Sequence, residues 1–459
     1  MKLQNEYLEK IRSAKRKHDG GSVEQTDETL RFHQVVASGR NIFLCGRAGT
    51  GKSEQINVLM QAVDEDFRVI KLAPTGIAAN NIGGQTIHSF FRFPLSVLHE
   101  SDATVAAWNP RNQKNRDVMR AIDAMIVDEI SMVRSDVLHC MDQTLRIVRR
   151  EPKKPFGGVQ VIALGDPMQL PPVVKETDGP AMQQLYGSPL FFCAPVCGID
   201  FHIVELTKIF RQDDSSMFAR MLNRVREGDA SPDVLAYFNA RVANPDDDVL
   251  RLVTKRKTAK IINDERLGMI PGEVHSFHAK IDNMSEGDCI VDAIVEVKVG
   301  ARVMICINDP KRRYFNGTIG TVDEITEITT YDDNGNETGV APCVVVRDSS
   351  GRHHHITHNV WEKIEAELEN GKIVRKVVGS FRQMPLRLAW AVTIHKAQGM
   401  TVDEACVDLG EGAFTAGQTY VALSRVRTYE GLTLARPMSQ WDVLIDPNVH
   451  YYRQRFSQA

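Results

Sequence analysis

Apolar residues along the chain fall into short β-rich runs, each closed by a polar or turn residue and separated from the next by a stretch of helical character. NIFLC (41–45) enters a glycine-rich loop, and VIKLAP (69–74), AMIVDE (124–129) and VQVIALGD (159–166) repeat the form. Buried strands that alternate with helices predict a parallel sheet whose active residues gather at the strands' C-terminal ends. A second series, IVEL (203–206), VLRLVT (249–254), AWAVTI (389–394) and EACVDL (404–409), predicts a second lobe of the same build.

Between about residues 290 and 375 the pattern changes. AIVEVKVGARVMICIND, TIGTVDEI and CVVVRD read as short alternating strands broken by turns such as Asn316-Gly317 and Asp333-Asn334-Gly335. That pattern predicts a small antiparallel β-barrel inserted in the second lobe. Residues 94–118 fit neither pattern and are expected to project from the first lobe. The expected division is an N-terminal arm (1–24), a first lobe (25–202), a second lobe in two parts (203–289 and 376–459) and the inserted barrel (290–375).

Composition narrows the class. The 459 residues suit two or three domains. No run approaches the roughly 18 uninterrupted apolar residues of a membrane span. The N-terminus is basic but lacks the apolar core of a secretory signal, so the expected location is cytoplasmic, at the nucleoid. Of the eight cysteines only Cys193 and Cys197 lie close together, which reads as reduced thiols rather than a zinc site. A net charge of −3 excludes a polycation but leaves room for one basic groove. The run from Lys10 to Lys17 reads as a solvated arm.

Chemistry enters at Gly46-Arg47-Ala48-Gly49-Thr50-Gly51-Lys52-Ser53, which matches G-x-x-x-x-G-K-[ST] in full and follows a strand. Glycines let backbone N–H groups curl around a β-phosphate at the positive end of the next helix. Lys52 brings a point charge to the β/γ-phosphates, and Ser53 offers a hydroxyl to Mg2+. Asp128 and Glu129 end the run AMIV, where Asp128 would hold the metal ion through water and Glu129 would polarise the attacking water. Gln169, in GDPMQLPP (165–172), suits a sensor of the γ-phosphate. Arg211 and Arg425 are candidate fingers that neutralise charge on the transferring phosphoryl group. Three segments suit a nucleic-acid strand: APTGIAA (73–79) through Thr75, QTIHSFF (85–91) through His88 and Phe91, and TIHKAQG (393–399) through Thr393, His395 and Lys396. Phe90 reads as core.

The set GRAGTGKS, APTGIAA, TIHSFF, IVDEISM, GDPMQLPPV, FRQ, NGTIGTV, PLRLAWAVTIHKAQGMT and QTYVALSRVR resembles the Pif-one family of superfamily-one DNA helicases, over about residues 25–435. RecD and the phage Dda helicase are more distant relatives. The resemblance implies two RecA-like lobes that use ATP in a cleft, with a short wedge at 94–118 and a small β domain in the second lobe. It implies 5′-to-3′ travel on single-stranded DNA, unwinding of tailed or forked duplexes, and G-quadruplexes or RNA–DNA hybrids among the substrates. Gln398 and Gly399 would line the nucleotide, and a glutamine ahead of the phosphate loop, Gln25 or else Gln34 with Gln25 preferred, would read adenine. A minimal bacterial or phage-type core acting as a monomer is expected. The alternatives are a RecD-like subunit of a nuclease complex and a nucleotide-dependent remodeller that does not travel.

Overall fold

A computed structural model describes residues 6–13, 26–47, 49–208, 216–244, 246, 249–284, 289–331 and 337–449. The chain divides into two units, residues 1–214 with 364–377 and 446–459, and residues 215–363 with 378–445.

The first unit is built on a parallel sheet of β1 (Asn41–Gly46), β2 (Val69–Ala73), β3 (Gln85–Thr86), β4 (Ala124–Val127), β5 (Gln160–Gly165) and β6 (Phe201–Leu206), in the order β3-β2-β4-β5-β1-β6. Strands β1, β4 and β5 are buried along their whole length, which is why their sequences are unbroken apolar runs. Successive residues of β1 serve opposite faces. Phe43 and Cys45 join one core with Leu72, Val127 and Leu138, while Ile42 and Leu44 join another with Phe32, Ile56 and Leu164. Covering helices include α1 (Glu6–Ser13), α2 (Asp27–Ala37), α3 (Lys52–Ala62), α4 (Gly76–Asn81), α5 (Ile87–Phe91), α6 (Glu100–Trp108), α7 (Gln113–Ala121) and α8 (Ser135–Arg149). Thr26, Thr75 and Thr86 start α2, α4 and α5, their hydroxyl oxygens accepting from the backbone N–H of Thr29, Ala78 and Ser89. A cap of this kind is worth about 1 kcal/mol.

Three expectations change here. The run 203–206 is not the second lobe's first strand: β6 pairs in parallel with β1 from Asn41↔Phe201 to Gly46↔Leu206 and closes the first sheet. A strand's local pattern does not name its partner, so that boundary was drawn too early. Of the run Lys10–Lys17, the part up to Ser13 lies on α1, whose Tyr7 and Ile11 are buried in the first unit while the Lys10 side chain stays partly exposed and pairs with Asp64 at 2.7 Å; residues 14–17 lie outside the described residues. Residues 94–118 hold α6 and most of α7, whose Ala103, Ala106, Ala107, Val118 and Met119 enter the core while Leu95, Val105 and Trp108 stay exposed.

The second unit carries a parallel sheet and an antiparallel region inserted in it. Its strands are β7 (Arg251–Val253), β8 (His275–His278), β9 (Lys280–Asp282), β10 (Ile294–Val297), β11 (Arg302–Ile305), β12 (Ile319–Tyr331), β13 (Glu337–Asp348), β14 (His353–Thr357), β15 (Asn359–Glu369), β16 (Lys372–Gln383), β17 (Leu386–Leu388), β18 (Ala391–Thr393), β19 (Ala405–Asp408) and β20 (Leu432–Leu434). The parallel sheet runs β18-β7-β19-β20, and the antiparallel sheets are β14-β13-β12-β11-β17, β15-β16-β9 and β10-β8. These antiparallel sheets share one core that includes Val303, Val344, Trp361 and Phe381. The antiparallel region therefore runs from His275 to Leu388, wider than 290–375. Strands β8 and β9 are short and mostly exposed, so they carried no clear alternation. The tip 364–377 of the β15–β16 segment belongs to the first unit, where Glu365 and Glu367 pair with Arg92 and Lys114 at 2.8 and 2.7 Å. Among the described residues no helix is long and apolar enough to cross a membrane.

Candidate nucleotide and nucleic-acid sites

In a parallel sheet all strands point one way, so the turns after β1, β4 and β5 emerge at one edge. The registers Cys45↔Gly165 and Val127↔Ala163 end β1 and β5 within a residue of each other and β4 two residues earlier. After β1 the chain turns through Gly46, Gly49 and Gly51, all with positive φ, into α3. A side chain at Gly46 would stand 2.7 Å from the Leu206 carbonyl oxygen, so the loop needs glycine there. Thr50 is buried, its hydroxyl donating to the Arg47 carbonyl at 2.9 Å. The Lys52 ammonium donates to the carbonyls of Gly46 and Arg47 at 2.6 and 3.0 Å, which holds it over the loop. Ser53 follows on the exposed side of the first turn of α3.

The turn after β4 faces the same loop. Burial raises the Asp128 carboxyl above its ordinary range, while the Glu129 amide and the Lys52 charge pull it down. Lys52 and Asp128 therefore feel one another. Glu129 adopts the left-handed region at φ 50°, ψ 43°, a strain of about 1–3 kcal/mol for a residue with a side chain. After β5, a side chain at Gly165 would meet Ile130 and the Ser131 amide at 3.0 and 3.2 Å, so the two turns are in contact. Gln169 is buried, and its amide donates to the buried carboxylate of Asp166 at 3.3 Å. Asp166 went unremarked in the sequence. The signal was its place at a strand end, three residues before a glutamine it can orient.

Further along the same sheet, Thr75 and His88 follow the adjacent strands β2 and β3, which pair Leu72↔Gln85 and Ala73↔Thr86. Burial, then the Arg134 charge, hold the His88 imidazole below its ordinary pKa, with Asp136 opposing. Phe91 is not available to a base. It is fully buried, edge-on to Phe90 at 5.0 Å and stacked on Phe93 at 5.1 Å. The α5 turn sets the ring of Phe91 inward beside that of Phe90, where the pair packs under β2.

In the second unit Thr393 ends β18, and its hydroxyl accepts from the Lys396 amide at 3.3 Å. Burial, then Arg256, lower the His395 pKa; burial, then Arg387, lower that of Lys396, whose ammonium lies 3.8 Å from Asp292. Gln398 and Gly399 complete this turn, with Gly399 at φ 82°. Arg425, the other candidate finger, lies in the same unit. It is fully buried, and its guanidinium donates to the carbonyls of Val421, Ala397 and Met400 and to the Ser424 hydroxyl at 2.8, 3.4, 3.1 and 2.7 Å. In this geometry it braces the turn that holds Gln398. Gln34 is exposed on α2, and Gln25, Ala48 and Arg211 lie outside the described residues.

Comparison with known proteins agrees with this arrangement. The model of the PIF1-like helicase family matches residues 26–234. A relative from Bdellovibrio bacteriovorus, named ATP-dependent DNA helicase Pif1, is 34% identical over 450 residues, covering 94% of this chain and 92% of that one. The chain belongs to the PIF1-like helicase family. The human ATP-dependent DNA helicase PIF1 is 32% identical to this PIF1-like chain, which covers 63% of the human protein's length. Among solved structures, Bacteroides sp Pif1 in complex with ADP-AlF4 superposes with a TM-score of 0.84 at 31% identity, covering 95% of this chain and 98% of that one. Bacteroides Pif1 bound to single-stranded DNA gives 0.67 at 32% identity, covering 95% of this chain and 98% of that one. The PIF1-like fold, two parallel-sheet RecA-like cores with an antiparallel region in the second, follows from these matches together with the strand order.

Proposed function

We propose that this PIF1-like helicase hydrolyses ATP to travel 5′ to 3′ along single-stranded DNA and to separate tailed or forked duplexes ahead of it. The observation that carries the reading is the gathering of Lys52, Asp128, Glu129 and Gln169 at one edge of the first sheet. Gly46, Gly49, Thr50, Gly51 and Lys52 hold the phosphates, and Glu129 orients water toward the γ-phosphate while Gln169, steadied by Asp166, registers its loss. Ser53 and Asp128 supply hard oxygen donors beside a polyphosphate, a set that fits Mg2+ better than a softer metal. When bound, the ion would neutralise phosphate charge. Arg425 remains the candidate finger of the second unit, its guanidinium held by the turn 397–400. Arg211 and a glutamine ahead of the loop complete the nucleotide contacts.

Each unit has its own grip on the strand, Thr75 with His88 in the first and Thr393, His395 and Lys396 in the second. Turnover alternately tightens and loosens the two. We assign residues 94–118 to the strand-separating junction, and we place the protein in the cytoplasm, at the nucleoid, as a monomer. G-quadruplexes and RNA–DNA hybrids are further substrates of the same motor. The test is ATPase activity with and without single-stranded oligonucleotides. DNA should stimulate wild-type turnover, and Lys52→Ala should abolish turnover while leaving DNA binding largely intact. Turnover indifferent to DNA would favour a non-travelling remodeller, and unimpaired turnover in Lys52→Ala would remove the assigned site.

A further inference from the structure

Strands β18, β7 and β19 pair in a register that sets Thr393 beside Val253 and Val253 beside Asp408. The turns that follow them therefore leave the second unit's parallel sheet at one level and from one edge. The first turn carries His395 and Lys396, the second Lys255 and Arg256, and the third is the loop 409–417. Phe414, in that loop, sets its ring nearly parallel to the imidazole of His395 and offset from it, with centroids 6.3 Å apart and planes 14° from parallel.

The Phe414 side chain is 57% exposed. A single exposed phenylalanine needs no explanation by itself. This one is held in place by polar anchors on both sides. Its backbone N–H donates to Oε1 of the wholly buried Gln418 at 3.1 Å, and the Ala413 N–H donates to Oδ1 of Asp442 at 3.3 Å. Asp442 is buried in turn and receives the Arg436 guanidinium at 2.6 Å. At the start of the loop the Gly410 N–H donates to Asp408 at 2.9 Å, and Glu411 pairs with Lys255 at 2.8 Å. A loop tied at these points keeps the ring at the surface rather than letting it fold into the core.

The neighbouring charge has a complementary sense. Arg256 is exposed and close enough to lower the pKa of both His395 and Lys396. Burial and that charge lower the His395 pKa and so favour the neutral ring, which can stack or form hydrogen bonds. A flat aromatic pair with a guanidinium and an ammonium beside it has the chemistry of a nucleotide unit, with a π-face for the base and positive charge for the backbone.

We propose that Phe414 and His395 form a stacking seat for one nucleobase of the single strand and that Arg256 holds the adjoining phosphate. The seat rests on the reading of Thr393, His395 and Lys396 as the second unit's grip, and it adds to that grip a residue from a separate loop. Stacking on any base would give affinity with little sequence preference, as a motor needs.

The experiment uses the full chain and a single-stranded oligonucleotide with 2-aminopurine at successive positions, titrated across a range of salt concentrations. Phe414→Ala should weaken binding roughly five- to a hundredfold, the range that base–aromatic stacking covers. It should remove the 2-aminopurine quench at one position and leave the slope of log affinity against log salt unchanged. Phe414→Tyr should restore both affinity and quench. Arg256→Ala should instead lower the salt slope by about 0.7, one phosphate contact on a single strand. If Phe414→Ala binds as wild type while His395→Ala and Lys396→Ala bind weakly, the seat is wrong and the grip stands. If none of these variants alters binding, the grip itself is wrong. Loss of affinity that Phe414→Tyr does not rescue, or that changes the salt slope, would reduce Phe414 to a structural part of the loop and overturn the seat.

Discussion

Acidification from pH 7 to pH 5 should weaken the first unit through a single buried imidazole, His33. The residue sits on α2 with Tyr7 of α1 on one side and Gln55 of α3 on the other. Tyr7 Oη lies 2.6 Å from Nδ1, and Gln55 Oε1 lies 3.1 Å from Nε2. Burial pushes the Tyr7 hydroxyl's pKa far up, so it stays protonated and donates to Nδ1. Nε2 then carries the hydrogen and donates to the glutamine. Both contacts suit the neutral ring, and burial lowers the His33 pKa from 6.5 to about 4, against a smaller opposing pull from Gln55. Between those two values the unfolded chain binds the proton and the folded chain does not. Stability is therefore whole above pH 6.5 and falls as the pH drops toward 4. Integrating the linkage for this one group from pH 7 to pH 5 gives a loss of about 2 kcal/mol. The assay is urea unfolding of wild type and His33→Leu at both pH values, followed by a probe in the first unit. At pH 7 the variant should be the less stable by about 1–3 kcal/mol, because Tyr7 and Gln55 lose their partner. At pH 5 the gap should narrow by about 2 kcal/mol. A gap that stays constant or widens on acidification would mean that His33 is not held neutral in the folded protein.

Three further positions of the first unit are open to test. Glu129→Gln should bind nucleotide with wild-type affinity and lose about 100- to 10,000-fold in turnover, the range for removing a base that orients water. Hydrolysis near wild type in that variant would transfer the role elsewhere. Phe91→Ala should cost about 3–5 kcal/mol of stability, read by denaturant unfolding, because it empties a packed core position. Phe91→Leu should keep its affinity for single-stranded DNA, and a specific loss of that affinity would return Phe91 to the binding surface. Gly84→Ala should destabilise by about 1–3 kcal/mol, because its new methyl group would stand 2.3 Å from the Lys71 carbonyl oxygen; unchanged unfolding would contradict that close approach.

What could be read from the chain alone divides by distance along it. The phosphate loop and the Asp128–Glu129 pair are contiguous residues at strand ends, so a local pattern was enough to find them. The strands themselves were legible because β1, β4 and β5 are buried on both faces and leave unbroken apolar runs. Partnership was not legible. Phe201–Leu206 looks like any other buried strand, and only its pairing with β1 places it in the first sheet. Phe90 and Phe91 are adjacent aromatics on a short helix, where neighbouring side chains usually diverge, yet both rings point into one core. The contacts of His33 with Tyr7 and Gln55 span 26 and 22 residues, and Phe414 meets His395 from a separate loop. Such meetings depend on the tertiary fold. Arg425 shows the same limit from the other side, since its motif suggested a role at a phosphate but not that its guanidinium would be enclosed by backbone carbonyls.

A motor with a direction distinguishes two otherwise identical duplexes, one with a 5′ single-stranded tail and one with a 3′ tail. Given ATP and Mg2+, the protein should separate the 5′-tailed duplex and leave the 3′-tailed one intact. Separation of the 3′-tailed duplex alone would contradict the assigned polarity. Failure on both, with DNA-stimulated ATPase preserved, would contradict the claim that this chain unwinds DNA without a partner.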